Sequence, residues 1–556
     1  MIQLGISAFY HDSAACLVID GKVVAAVEEE RFTEIKHDYS FPTNSINWCL
    51  KDTGISMEEV NEVCWYEVPE KKKQRVLKSF AKRPIRTFFK RRKFLKEYKA
   101  NNPETLLKEN YGYKGKIKYI DHHLSHAAFS FYTSPYKDAA ILTVDGVGEF
   151  ETVTISKGDE KGIDKKLSID FPHSLGMLYS TITAFLGFKP NEGEYKVMGL
   201  APYGNPNTYY EKLEQVFINV TSNKFEIDQG YFTWEYSDSI MFTKHLAGLL
   251  QLAPRLPEEP VTQEHKDLAC ALQNIYEREF LKLVERAKLI CKSDNLCLGG
   301  GCAYNGVANN KAYKYFKNIH IPFAPSDAGS AIGACLVAYL GPKHTNITPY
   351  LGNHYTDEYI QGVLEDNVGK VSFLKLDYEV LLKRTASLIN NQNIVAWFQG
   401  RMEFGARALG NRSILASPTN AKMRDKLNYT IKKREGFRPF APSVLNEDVL
   451  KYFDANEAVP YMNQVVKVKE TAKNLFPSAT HIDNTARIQS VTKQRNKKYY
   501  LLLQELKRVS GHGVVLNTSF NLKDQTITRT PEQAVTRFIN SDIPYLVINN
   551  YLIMKK

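Results

Sequence analysis

No two of the eight cysteines form a C-x-x-C pair, and none lies beyond Cys335. Zinc-ribbon spacing is therefore absent. A disulfide framework does not suit so large a chain with cysteines scattered over Cys16, Cys49, Cys64, Cys270, Cys291, Cys297, Cys302 and Cys335. They read mostly as small buried hydrophobes. No apolar run approaches the roughly 20 residues that cross a bilayer, so no membrane partner is expected. The opening from Met1 to Ser7 lacks the basic region and cleavage site of a secretory leader, which makes the cytoplasm the default expectation.

What is present is ordinary for a folded protein: 556 residues, 43% hydrophobic and 24% charged. That composition excludes general disorder, and the length allows roughly two to four domains. The formal net charge of +12 points only weakly to anionic partners. Much of the excess is local. From Lys71 to Lys99, basic residues alternate with Phe80, Phe88, Phe89, Phe94 and Tyr98. This run suits either a docking surface for nucleic acid, membrane or an anionic substrate, or a helical insertion with a solvated basic face. The second reading is favoured, and nucleic acid is a minority option.

The chain begins with an apolar run, Ile2 to Ser7, that breaks at Ala8-Phe9-Tyr10-His11-Asp12-Ser13. A second run, Ala14 to Ile19, turns through Asp20-Gly21 into Val23 to Val27. Strand, polar loop, strand, hairpin is how sugar-kinase/actin nucleotide-binding domains begin. Glu28 to Asp38 then reads as a polar loop lining a site. Further on, His122 and His126 are four apart at a predicted helix start and share one face, a spacing that suits one metal ion. The apolar strand Ala139 to Val144 ends at Asp145-Gly146, where open α/β sheets place ligands. Glu194 and Lys196, beside flexible glycines, suit either a polar substrate or a surface pair.

A long amphipathic helix is expected over Thr262 to Ile290. It leads into a strand ending at Gly299-Gly300-Gly301, whose backbone N–H groups suit an anion. Asp327 stands at another strand-to-helix junction. Two imidazoles and two carboxylates (His122, His126, Asp145 and Asp327) suit a divalent transition metal, with iron(II), zinc and manganese all compatible. The Pro/Gly/Asn-rich stretch from Gly341 to Asp357 marks a boundary, giving domains 1–345 and 361–556 joined by a linker, 346–360. Beyond it, Arg and Lys recur beside Gly, Ser and Asn: Gly405 to Ser413, Asn428 to Pro442, Thr485 to Arg487, Asn517 to Asn521. Such a pattern suits a polyphosphate.

These motifs resemble the NodU/CmcH family of carbamoyltransferases, which includes antibiotic O-carbamoyltransferases. The carriers are His11-Asp12-Ser13-Ala14-Ala15, His122-His123-Leu124-Ser125-His126, Asp145-Gly146-Val147-Gly148-Glu149, Gly299 to Asn305 and Ser326-Asp327-Ala328-Gly329. In the last third they are Gly405 to Ser413, Arg438-Pro439-Phe440-Ala441-Pro442, Thr485-Ala486-Arg487 and Asn517 to Asn521. Ala406 departs from the family's usual proline, which stiffens the loop less and removes no functional group. The resemblance implies an α/β protein with a duplicated sugar-kinase/actin-like N-terminal domain, similar to the tRNA threonylcarbamoyl transferases, and a C-terminal YrdC-like α/β domain. It implies that carbamoyl phosphate and ATP, with Mg, give carbamoyl-adenylate in the C-terminal domain. Arg407, Lys432, Arg438, Arg487, Asn517 and Ser519 would hold them there. The carbamoyl group then passes to a hydroxyl of a small-molecule or glycan acceptor at a metal, iron(II) being expected, held by His122, His126, Asp145 and Asp327. Gly299, Gly300, Gly301 and Asn305 would bind the adenylate, and His11 would position or deprotonate the acceptor hydroxyl. The hydrogenase-maturation relatives carry paired C-x-x-C motifs that are missing here. A tRNA-modifying (threonyl)carbamoyl transferase and a non-catalytic nucleotide-binding scaffold are the alternatives. The acceptor and the oligomeric state are not legible.

Overall fold

Alternating apolar runs and polar turns in the first 30 residues build a three-stranded meander: β1 (Ile2–Ser7), β2 (Ala14–Ile19) and β3 (Lys22–Glu28). In the computed structural model β4 (Glu62–Trp65) and β5 (Lys116–Tyr119) extend it in parallel, giving the order β3-β2-β1-β4-β5. The structure describes residues 1–556 except 220, 222, 223, 238, 239 and 342. Pro342, in the expected boundary stretch, thus lies outside the described residues. A second sheet repeats the plan. β6 (Ala139–Val144), β7 (Glu151–Asp159) and β8 (Gly162–Asp170) form the meander. After a small ribbon of β9 (Phe217–Ile218) and β10 (Glu226–Ile227), β11 (Asn295–Gly299) and β12 (Asn318–His320) are added in parallel. Its order, β12-β11-β6-β7-β8, is the first sheet's order met a second time. The duplication is thus visible in topology.

The site side of this unit depends on two helices, His122–Tyr132 and Asp327–Ala338. Both are almost wholly buried, and small residues let them approach closely. A Cβ on Gly333 would lie 1.9 Å from the Ser125 carbonyl oxygen, so no side chain fits there. That approach brings Ser330 and Asp327 beside His126. The helix Gln263–Cys291 covers the second sheet with its apolar face.

The last third is another mixed α/β unit. Eight strands form one sheet: β13 (Val371–Lys375), β14 (Val395–Phe398), β15 (Arg412–Ala416), β16 (Ala441–Leu445), β20 (Gln489–Val491), β21 (Val514–Ser519), β22 (Tyr545–Ile548) and β23 (Tyr551–Lys555). Their order is β13-β23-β22-β14-β15-β21-β16-β20. A smaller sheet holds β17 (Phe453–Asp454), β18 (Val465–Val468) and β19 (Thr485–Arg487). Side chains alternate across a strand, and here both faces are buried. Ala396, Phe398, Ile414, Leu516 and Ile548 pack into one core. Their neighbours Val395, Trp397, Leu415, Val515 and Val547 enter the other, under the helices Tyr378–Asn390 and Lys497–Ser510. Unbroken apolar runs such as Ile394 to Phe398 are the result.

The chain divides into two compact units, Met1–Glu29 with His37–Ile347, and Glu30–Lys36 with Thr348–Lys556. No sequence signal marks the excursion of Glu30–Lys36 into the second unit. Within that unit Arg31 is buried and donates from Nη2 to the Gly405 carbonyl at 2.9 Å. Arg529 donates to the Arg31 carbonyl at 3.0 Å, and Glu34 pairs with Arg537 at 3.4 Å. Among the described residues no helix is long and apolar enough to cross a membrane.

Candidate active site

In the first unit His122 and His126 stand one turn apart, and their Nε2 atoms are 3.1 Å from each other. Asp145, at the end of β6, places Oδ2 at 2.9 Å from His122 and 3.3 Å from His126. Asp327, the first residue of its helix, places Oδ1 at 3.7 and 3.4 Å from the same two nitrogens. All four side chains are buried, with one ligand atom of each within 4.8 Å of every other. Two imidazole lone pairs cannot face each other unless a proton or a cation lies between them. Both Asp327 oxygens are buried with no hydrogen-bond partner, as is His122 Nδ1. Isolated buried carboxylates are costly, whereas a divalent ion would satisfy this two-imidazole, two-carboxylate set. The donor set fits a metal.

Surrounding groups hold Asp145, His126 and His122 in this arrangement. Asp145 Oδ1 accepts the N–H of Gly146 at 2.9 Å and of Gly301 at 3.1 Å, leaving Oδ2 aimed at the imidazoles. Ser330 Oγ lies 3.0 Å from His126 Nδ1, which directs Nε2 inward. Glu149 accepts the His122 N–H at 3.0 Å and the Val68 N–H at 2.7 Å, pinning the helix start. Burial opposes charge on His126, but the Asp145 and Asp327 carboxylates beside its Nε2 outweigh it and push the imidazole up to about 9. Burial also opposes ionisation of Asp145, yet its hydrogen bonds with His122 and His126 hold it well below the usual carboxylate range.

His11 lies on the rim, with Nε2 at 3.9 Å from Asp327 Oδ2 and Nδ1 at 3.1 Å from Asp12. Asp12 is gripped from the other side by His37 Nδ1 at 2.7 Å. Phe9 and Asp12 adopt left-handed backbone at φ 71° and 51°, which side chains other than glycine seldom occupy. Burial disfavours the His11 charge, but Asp327 and Asp12 raise it to about 10.

In the second unit the loop between β14 and β15 carries Arg407, which is half-buried. Glu403 accepts the N–H groups of Leu409 at 2.7 Å, Asn411 at 2.7 Å and Arg412 at 3.2 Å. Gln489 Nε2 donates to the Leu409 carbonyl at 2.9 Å, and Asn517 Nδ2 to the Ala408 carbonyl at 3.3 Å. Arg407 is therefore displayed on a loop bolted to β20 and β21. Arg487 ends β19, two residues before Gln489. Arg438 reaches Glu435 at 3.4 Å, and its carbonyl accepts from Asn428 at 3.0 Å. Lys432 follows a π-helical turn, Lys426–Ile431. Its Nζ donates to the Ser519 carbonyl at 2.6 Å, the Asn521 carbonyl at 2.9 Å and Asn521 Oδ1 at 2.8 Å. Burial first, then Arg434 and Arg438, holds its pKa well below the ordinary lysine value.

A family model for the carbamoyltransferase N-terminus matches residues 2–336, and one for the carbamoyltransferase C-terminus matches residues 386–555. The chain belongs to the carbamoyltransferase family. An uncharacterized Synechocystis protein is 40% identical over 99% of this chain and 96% of its own length. The nodulation protein NolNO of Sinorhizobium fredii is 35% identical over 99% of this chain and 80% of its own. The 3'-hydroxymethylcephem-O-carbamoyltransferase of Streptomyces clavuligerus is 32% identical over 52% of this chain and 51% of its own.

Against that family background, several expected contacts turn out to be engaged within this carbamoyltransferase itself. The Gly301 N–H points to Asp145 rather than to open space. Gly300 is held at φ 86°, where a Cβ would meet the Val144 carbonyl oxygen at 2.2 Å. Asn305 caps the helix Gly306–Lys311 and exchanges amide hydrogen bonds with Gln273. Glu194 accepts the Asn191 and Gly193 N–H groups and the Ser180 hydroxyl, closing its own helix start. Lys432 is a clamp on the end of β21, and would bind phosphate only by exchanging one of these acceptors.

Other groups escaped sequence reading because their partners lie on distant elements. Ser330 and Glu149 are of this kind, whereas Glu403 closes its own loop onto N–H groups of Leu409, Asn411 and Arg412. The Tyr10 hydroxyl sits over Gly146, 3.3 Å from where a Cβ would be. Lys72 Nζ is 5.9 Å from the Tyr10 ring centroid, and Arg75 packs 5.0 Å over Phe171. One face of the helix Pro69–Ala81 thus lines the same side of the unit as Tyr10. We expect Ser330→Ala to weaken divalent metal binding about 10- to 100-fold without unfolding the protein, read by competition with a chromogenic chelator.

Proposed function

We propose that the chain is an ATP-dependent O-carbamoyltransferase working in two half-reactions at two centres. The observation that carries this reading is the coexistence of a buried two-histidine, two-aspartate set in one unit with the cationic loops around Arg407 in the other. The repeated sheet order supports a duplicated sugar-kinase/actin-type first unit, and the second is read as YrdC-like. In the second unit carbamoyl phosphate, ATP and one water would give carbamoyl-adenylate, phosphate and pyrophosphate. Arg407, Arg438 and Arg487 would hold phosphate oxygens through paired N–H donors. Asn517 and Gln489 keep the Arg407 loop in place, and Lys432 orders Ser519 and Asn521 beside it.

In the first unit a divalent ion held by His122, His126, Asp145 and Asp327 would supply Lewis-acid polarisation of the carbamoyl oxygen. Gly299 and Gly300 offer backbone to the adenylate, while Gly301 fixes Asp145. His11 would hold the acceptor hydroxyl through Nε2 and accept its proton. The carbamoyltransferase named for a hydroxymethylcephem supports a small-molecule hydroxyl as acceptor. Incubating metal-replete protein with ATP and carbamoyl phosphate should release pyrophosphate only when both are present. Folded, metal-replete protein that releases none would refute the reading.

A further inference from the structure

The basic stretch resolves into two helices, Pro69–Ala81 and Pro84–Ala100, joined by a short turn. They form a hairpin with its own small core, where Phe80 meets Phe94 at 6.2 Å and Phe94 meets Tyr98 at 6.2 Å. Thr87 is buried on the same side. The opposite face of the second helix carries exposed basic residues, as the favoured reading expects, and exposed apolar ones beside them. Ile85, Phe88 and Phe89 are 95, 53 and 80% exposed. Their i, i+3, i+4 spacing puts them on one face, in the first turns after the hairpin bend. The same face continues into Arg92, Lys96 and Lys99, all exposed. Between Lys82 and Lys99 the sole acidic residue is Glu97.

We propose that this hairpin tip docks the protein on the surface of an anionic phospholipid bilayer, with Ile85, Phe88 and Phe89 as a shallow apolar wedge and Arg92, Lys96 and Lys99 against the headgroups. The inside of the hairpin is already packed, so folding does not require three large apolar side chains outside. Exposed aromatics and an aliphatic residue in one patch lose contact with water on entering the headgroup boundary, about 5–10 Å deep. The adjoining cations complement the negative surface potential of such a leaflet. Single-stranded nucleic acid would use the two phenylalanines for stacking and leave Ile85 without a role. The proposal concerns a surface contact and leaves the absence of a membrane-crossing helix untouched. It depends on none of the proposed chemistry.

The test is co-sedimentation of the full-length protein with phosphatidylcholine vesicles, with and without phosphatidylserine, and a parallel arm with single-stranded RNA. At low salt the phosphatidylserine vesicles should bind about tenfold or more protein than the neutral ones, and salt should release it. Phe88→Ser/Phe89→Ser and, separately, Arg92→Glu/Lys96→Glu should each reduce binding about tenfold while melting like wild type. Because two different surface variants are used, a folding failure in one leaves the other decisive. Equal binding to both vesicle types, binding unaffected by either variant, or RNA binding without vesicle binding would overturn the proposal.

Discussion

Replacing Asp327 with alanine should cut carbamoyl transfer about a thousandfold or more and remove bound divalent metal, while pyrophosphate release from ATP continues. The side chain is fully buried, and its oxygens face the imidazoles of His11, His122 and His126. It costs desolvation in the metal-free chain, and loses nothing that packing would replace. Asp327→Ala should therefore remain folded, which thermal melting would check. Atomic emission on dialysed protein would read the metal, and product mass the transfer. The substitution also removes one of the two carboxylates that raise His126 to about 9, so that imidazole should titrate lower by NMR. A variant that keeps its metal and still transfers would place the reaction elsewhere.

The second large effect is expected at the other centre. Arg407→Ala should lower carbamoyl phosphate-dependent pyrophosphate release about a hundred- to a thousandfold. The loop around it is held by Glu403, Gln489 and Asn517, whose hydrogen bonds the substitution leaves in place. Stability should thus be nearly unchanged, and metal content should match wild type. Arg407→Lys keeps the charge but loses the planar fork, and should recover only a small part of the activity. Equal rates for wild type and Arg407→Ala would remove this loop from the adenylating centre.

How much of this was readable from the chain follows from distance in sequence. The His122–His126 spacing is local and survives into the structure as two nitrogens 3.1 Å apart. Asp145 and Asp327 were legible because each stands where a buried strand gives way to a loop or helix. Ser330 was not, since its use depends on the helix approach that Gly333 allows. Long apolar runs disclosed β6, β11 and β14, because strands buried on both faces need no polar alternation. The excursion of Glu30–Lys36 into the second unit left no trace, as its partners Gly405, Arg529 and Arg537 lie hundreds of residues away. For Lys432 and Asn305 the family motif implied ligand binding, and the structure also engages both in holding neighbouring elements. The basic stretch was recognised as helical, yet composition alone could not tell that Ile85, Phe88 and Phe89 turn outward.

The central claim is that activation and transfer belong to separate sets of residues. The measurement that tests it most directly is carbamoyl phosphate-dependent pyrophosphate release by His126→Ala beside wild type, with carbamoylated product followed in the same reactions. The account predicts an unchanged release rate with transfer lost. Loss of both in parallel, in a variant that melts like wild type, would contradict it.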